Sequence, residues 1–482
     1  MLMIKPRPAL LCVVLLVQTS VLFGQSVDDR AEILASIEEN RAVYEQLAGD
    51  LWDLAELGYQ EVRSCLLLRG QLRSAGFEIE EGVAGMPTAF VASYGTGSPV
   101  IAILAEYDAL PGFSQAAVPE QNPIPGKESG HACGHHLFGA GSTAAAIAVK
   151  DWLARAGQEG TVRLYGTPAE EGGGAKVYMT REALFDDVDA VLHWHPGDRN
   201  DASPWTTLAS VSAKFRFAGV SAHAAQYPER GRSALDGVEA MNHMANLMRE
   251  HVPEGTRIHY AITDGGAAPN VVPDFAEVYY IVRHPDTTQA AAVFDRLLQA
   301  AEGAAVGTGT TVTHELINGV YAMLPNDTLA RVMDRNLREV GGVEYTTEER
   351  QFAEHLRASL PADSLPIGSA AEVQQYELQE IAVSTDVADV RWVVPTVGLS
   401  TATWVPGTAG HSWQAAAAGG TTIGVKGMMV AAKTLALTAI DLFEEGSILD
   451  AATREHREST GPDFVYEPLV GDRPPPLDYR EN

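Results

Sequence analysis

His135 of a Cys133-Gly134-His135 loop stands 35 residues before the adjacent carboxylates Glu170 and Glu171, and His195 follows 24 residues beyond Glu171. A further histidine, His411, sits in the glycine-rich stretch Gly407-Thr-Ala-Gly-His-Ser-Trp. Thiolate, imidazole and carboxylate are the side chains that bind transition metals. With two adjacent glutamates, one can ligate a cation while the other moves a proton, the division of labour that metal-assisted hydrolysis needs. Each piece alone has a plainer reading. A Cys-x-His pair can be a buried thiol beside a capping histidine, paired glutamates are usually solvated, and His193 competes with His195 as a ligand. Their joint occurrence at loop ends of one α/β region is far more specific.

These residues need strands to carry them. Helical periodicity covers Asp28 to Gly76, and extended apolar runs follow at Ala89–Tyr94 and Val100–Ala105, the second ending in Glu106-Tyr107-Asp108. A Pro- and Gly-punctuated loop leads into His131-Ala-Cys-Gly-His-His and a small-residue helix from about Ala140 to Ala156. Strand Thr161–Tyr165 delivers Glu170 and Glu171, and strand Ala190–His193 delivers His195. Polar residues just past alternating strands are placed as ligands are at the carboxyl edge of an open α/β sheet.

The pattern changes near Ala202. Strand Ala209–Phe217, helix Arg232–His251, strands Arg257–Thr263 and Asp274–Arg283, helix Thr287–Ala304 and strand Thr310–Ile317 give the order β-α-β-β-α-β of a ferredoxin-like unit. The expected organisation is a signal peptide over 1–25, an α/β catalytic domain split between 27–204 and 321–470, an inserted lid or dimerisation domain over 205–320, and a flexible tail over 471–482. The catalytic part should be an α/β/α domain with a central mixed sheet.

The chain has 482 residues, 46% of them hydrophobic, enough for two domains. Lys plus Arg number 34 against 63 Asp plus Glu, a formal charge of -29. Such a surface repels phosphate backbones and anionic lipid, so nucleic acid is an unlikely partner class. Lys5 and Arg7 precede an apolar run from Ala9 to Gly24, which reads as a secretory signal and predicts an exported, periplasmic or secreted protein without a membrane span after cleavage. Outside that run only Cys65 and Cys133 remain, and a thiol in a Cys-Gly-His setting reads as a ligand, so no disulfide is expected.

Taken together, the HACGHH loop, the glutamate pair, Trp194-His195-Pro196, Ser221-Ala-His-Ala, Pro269-Asn-Val-Val-Pro and GTAGHSW resemble a di-metal amidohydrolase and peptidase family. That family includes aminoacylases, hippurate hydrolase, auxin-conjugate hydrolases and carboxypeptidase G-type enzymes, and the resemblance spans nearly the whole chain. It implies Cys133, His135, Glu171, His195 and His411 as ligands of two divalent ions, Zn2+ or Mn2+. Glu170 matches the general base and Asp108 a carboxylate that orients a ligand. His223 matches a lid histidine that reaches the reacting carbonyl, often across a dimer interface. Asn270 and Arg283 lie on lid segments that face the substrate and its carboxylate. His136 stands where many relatives have Asp or Asn.

The function so implied is hydrolysis of the amide bond of N-acyl or N-aroyl amino acids, such as aminobenzoyl-glutamate-like substrates, by a homodimer or with a related subunit. The same site would serve a metallodipeptidase or carboxypeptidase. Two other classes compete: an exported binding protein that has lost catalysis, and a dinucleotide-binding oxidoreductase resting on Gly139-x-Gly141. The latter lacks a third glycine in register.

Overall fold

The computed structural model describes residues 29–480, so the segment 1–25 expected to be a signal lies outside the described residues. Six strands form the main sheet, in the order Glu78–Glu81, Phe90–Thr96, Gly160–Gly166, Val100–Ala105, Ala190–Gly197 and Thr396–Ala402. The last four run parallel and the first two pairings are antiparallel, which makes the sheet mixed. Val100–Ala105 is buried at all six positions. A strand covered on both faces has no polar side to alternate, which is why this one reads as a continuous apolar run.

Helix His135–Ala156 packs on this sheet beside Thr422–Glu444. The latter is long and apolar enough to span a bilayer, but it is buried in the core. The first helix begins at His135 rather than near Ala140, so the ligand candidates sit in its first turn. Its two glycines allow close packing. A Cβ on Gly139 would lie 2.9 Å from the Glu106 carbonyl oxygen, and one on Gly141 would lie 2.9 Å from the Trp194 ring. Helix–sheet contact therefore accounts for the Gly139-x-Gly141 spacing.

The chain then leaves the main sheet. Strands Arg257–Asp264, Phe275–His284, Ala209–Ala218 and Thr311–Val320 form a separate antiparallel sheet in that order. Helices Ala234–Met248 and Thr287–Thr308 cover one face of it. Along Phe275–His284 buried and half-exposed residues alternate strictly, the period-two signature of a sheet with one covered face. Val278, Tyr280 and Val282 point into a core shared with Val238, Met241, Phe294 and Leu297. Arg257–Asp264 is the opposite case: an edge strand with only Ile258 buried.

The chain returns through helices Asp327–Val340 and Thr347–Arg357 to strand Thr396–Ala402, which pairs parallel with Ala190–Gly197. This pairing brings the segments that carry His411 and Asp386 next to the strand that carries His195. Beyond Gly471, where composition suggests a loose tail, residues up to Arg480 make specific contacts with the body of the protein. Cys65 and Cys133 are both buried and unpaired among the described residues.

Candidate metal centre and active site

The site assembles where parallel strands end. Glu106 and Asp108 follow strand Val100–Ala105, and a period of two sends both side chains to the same side. His135 lies against both. Its Nδ1 is 2.8 Å from Asp108 Oδ1, and its Nε2 is 3.1 Å from Glu106 Oε2. A proton on Nδ1 donated to Asp108 leaves Nε2 as the ligand atom, the usual arrangement behind a metal-bound histidine. Asp108 also accepts the Glu171 backbone N–H through Oδ2 at 2.9 Å. One carboxylate thus sets two candidate ligands.

His195 is held in the same way, with Nδ1 2.7 Å from the Pro196 carbonyl and Nε2 3.4 Å from Cys133 Sγ. The competing His193 faces elsewhere, since its Nε2 accepts a hydrogen bond from Arg391 at 2.8 Å. His411 arrives on a residue with φ 55°, its N–H donating to the Ala132 carbonyl, and its Nε2 lies 3.0 Å from Glu171 Oε1. His131 and His136 turn away from the centre: their Nε2 atoms contact the Leu51 and Gly419 carbonyls at 3.0 and 3.1 Å.

Three groups of potential ligand atoms result: Cys133 with His135 and His195, Cys133 with Glu171 and His411, and Glu106 with His135 and Glu170. The first two share only Cys133, so two cations held by these groups would both draw on its thiolate. Hydrogen bonding within the protein does not satisfy the centre. His135 Nε2, Glu106 Oε2 and Glu171 Oε1 are buried without a hydrogen-bond partner, because their close approaches lack the alignment of a bond. Buried carboxylate oxygens left in this state are costly. Divalent cations fit the donor set, which mixes one thiolate, imidazoles and carboxylates.

The two adjacent glutamates are driven apart. Burial, then the charges of Glu106 and Glu171, pushes Glu170 well above the ordinary carboxylate range. Burial pushes Glu171 upward too, but His411 at its side and, in the metal-free site, a protonated His135 outweigh that and hold it low. Opposed proton affinities in a neighbouring pair suit separate acid–base roles. Burial and then His135 lower His195 to about 4, which keeps it neutral as a ligand must be.

Several contributors lie outside the sequence motifs. Lys176, fully buried, bridges Glu106 at 2.8 Å and Asp386 at 2.7 Å. Glu61, also buried, accepts the Ala169 N–H at 2.8 Å and so holds the loop carrying the glutamates, in which Ala169 has φ 55°. The signal for Glu106 was its spacing from Asp108; Lys176 lies five residues past Glu171, Asp386 and Glu61 come from distant segments, and no spacing singles out any of the three.

A cavity of about 280 Å³ opens on the centre, with an apolar wall of Phe138, Trp205, Met323, Val383 and Val387. Arg283 of the second sheet reaches its rim, donating to Ser384 Oγ at 3.3 Å. The structure does not bring His223 or Asn270 there. Both are exposed on the second domain, joined through the bond from Ala224 N–H to the Asn270 carbonyl, and His223 Nδ1 accepts the Gln226 N–H at 3.1 Å.

A fold of this kind around such a centre is that of a metal-dependent hydrolase of amide bonds, and the chain belongs to the M20 peptidase family. The peptidase dimerisation domain of that family matches residues 208–308. The chain is 42% identical over 452 residues to a p-aminobenzoyl-glutamate hydrolase subunit of Escherichia coli (strain K12), covering 88% of this chain and 94% of that one. It is 28% identical over 453 residues to the Xaa-Arg dipeptidase of Mus musculus, covering 90% and 91%. Among solved structures, the Bacillus subtilis YXEP protein, described as a dinuclear metal binding peptidase from the M20 family, superposes with a TM-score of 0.58 at 18% identity, over 84% of this chain and 99% of that one.

Proposed function

We propose that this protein hydrolyses the amide bond of N-aroyl or N-acyl amino acids, aminobenzoyl-glutamate among them, with two divalent cations held by Cys133, His135, Glu171, His195 and His411. The observation that carries this reading is the pair of ligand groups that share Cys133, with Glu170 beside them and Asp108 holding both His135 and the Glu171 backbone. Bound cations, Zn2+ or Mn2+, supply Lewis acidity and lower the pKa of water. Glu170 would take the proton of the attacking water and deliver it to the departing amine nitrogen. Asp108 orients His135 and the Glu171 backbone. The apolar wall suits an aryl or alkyl acyl group, and Arg283 at the rim suits the carboxylate of the amino-acid half.

His223 and Asn270, exposed and away from their own cavity, are read as serving the site of a second copy in a homodimer. The match of residues 208–308 to a dimerisation domain supports this. The relation to an Xaa-Arg dipeptidase supports a second reading, a dipeptidase acting through the same centre.

One assay separates them. Metal-stripped protein, reconstituted with Zn2+ or Mn2+, is given aminobenzoyl-glutamate, N-acyl amino acids and dipeptides side by side. Cation-dependent turnover of the first two classes is the expected result, and preference for dipeptides selects the second reading. Full activity of the stripped protein overturns both.

A further inference from the structure

We propose that the end of the chain, residues 471–480, is a strap that positions the metal-ligand loop, with Tyr479 and Arg480 as positioning residues for Glu171. The Tyr479 hydroxyl donates to the Glu171 carbonyl oxygen at 3.2 Å, and Arg480 Nη2 donates to the same oxygen at 2.5 Å. On its other side, Glu171 gives its backbone N–H to Asp108 at 2.9 Å. The residue is therefore held at both of its peptide groups, once by the site itself and once by the chain terminus.

The loop needs such support. Glu171 is followed by Gly172, Gly173 and Gly174, with φ 112° at Gly172 and 66° at Gly174. Three glycines in a row leave the backbone many conformations, and fixing one of them has to come from outside. The Tyr479 ring sits edge-on to Tyr59, with centroids 5.8 Å apart, and the Tyr59 hydroxyl donates to the Gly173 carbonyl at 3.0 Å. The seat is shaped for this tyrosine: a Cβ on Gly58 would lie 2.2 Å from its hydroxyl oxygen.

The strap is anchored at its other end. Arg181, on the helix that follows the glycines, donates to the Gly471 and Arg473 carbonyls at 3.2 and 2.7 Å. Arg473 donates to the Ile317 carbonyl at 3.1 Å, on the second-domain strand Thr311–Val320 where its register shifts between Leu316 and Asn318. Between this anchor and Tyr479 run Pro474, Pro475 and Pro476. Fixed φ angles make this a stiff connection that loses little entropy on docking.

The proposal rests on the metal-centre reading but is tested apart from turnover. In the full-length chain, Tyr479→Phe keeps the ring against Tyr59 and removes its donor, and Arg480→Met removes the second donor. The double variant should show roughly tenfold weaker Mn2+ binding in chelator-buffered titration, the combined effect of both lost hydrogen bonds to the Glu171 carbonyl. In metal-free protein, amide exchange of residues 167–174 should speed up roughly tenfold while helix His135–Ala156 is unchanged. Arg480→Lys, which retains a donor, should recover part of both effects. Unchanged exchange in 167–174, or acceleration spread equally over that helix, overturns the strap. A protein that binds no Mn2+ or Zn2+ at all overturns the proposed function, and the exchange measurement still reads the strap.

Discussion

Asp108 Oδ1 lies 2.8 Å from His135 Nδ1, both side chains fully buried, and this contact decides which nitrogen of His135 faces the cation positions. Asp108→Ala would free the imidazole to turn and would release the Glu171 N–H as well. Removal of such supporting contacts typically weakens metal affinity by about 10- to 100-fold. Competition against a chelator of known affinity, on wild type and Asp108→Ala, measures this. Equal affinities would show that the contact does not position the ligand.

Glu170 stands beside the ligands and is assigned the proton-transfer role, so the two functions should separate on mutation. Glu170→Gln should lower kcat by about a hundredfold to ten-thousandfold, the usual share of general acid–base catalysis, with metal content unchanged. The base must be ionised to act. Activity should therefore rise with pH through an acid limb set by the ionisation of Glu170 in the cation-loaded enzyme. The limb should vanish from the residual activity of Glu170→Gln. A limb that survives belongs to another group.

The sequence made the ligand candidates legible because each sits beside a turn-forming residue at the end of an apolar run: Gly134 beside His135, Pro196 beside His195, Gly410 beside His411. The second sheet was legible for a different reason: its central strand Phe275–His284 keeps a period-two alternation. Lys176 and Asp386 were not. Lys176 neutralises carboxylates 70 and 210 residues away, and nothing local marks an acid whose partner is that distant. The terminal segment was misleading in the other direction. Pro474 to Pro476 look like a loose end, but stiffness is also what a docked strap requires. The placement of His223 and Asn270 depends on how copies associate, which a single chain's pattern does not encode.

Asp389 offers a pH test removed from the metal centre. It is buried, accepts the Tyr466 hydroxyl at 2.6 Å and the Tyr321 N–H at 3.1 Å, and burial raises it to about 7. In the unfolded chain an aspartate ionises near about 3.9, so between those values the folded state holds a proton that the unfolded state has lost. This group's contribution to stability is therefore fully present below about pH 4 and declines as pH rises to about 7. The difference in unfolding free energy between wild type and Asp389→Asn, measured in urea from pH 4 to 8, should move against the wild type across that window. A constant difference would mean that Asp389 ionises in the fold as it does in water.

Lys176 carries the clearest stability prediction. Its ammonium is fully buried between Glu106 at 2.8 Å and Asp386 at 2.7 Å, and Asp386 also accepts the Lys176 N–H at 3.0 Å. Removing the cation leaves two carboxylates in a dry interior with no counter-ion on that side. Breaking a buried pair in this way costs about 3–5 kcal/mol, because the orphaned charge keeps its desolvation penalty. Lys176→Met, close in length but uncharged, should lose that much in urea unfolding of the metal-free protein. Arg331, paired with Asp327 on an exposed helix face, is the control: Arg331→Met should leave the unfolding midpoint close to that of the wild type. Lys176→Met should also weaken metal binding, since Glu106 would then draw on His135 alone. If it unfolds like the Arg331 control, the buried carboxylates are protonated in the fold and Lys176 does not hold them ionised.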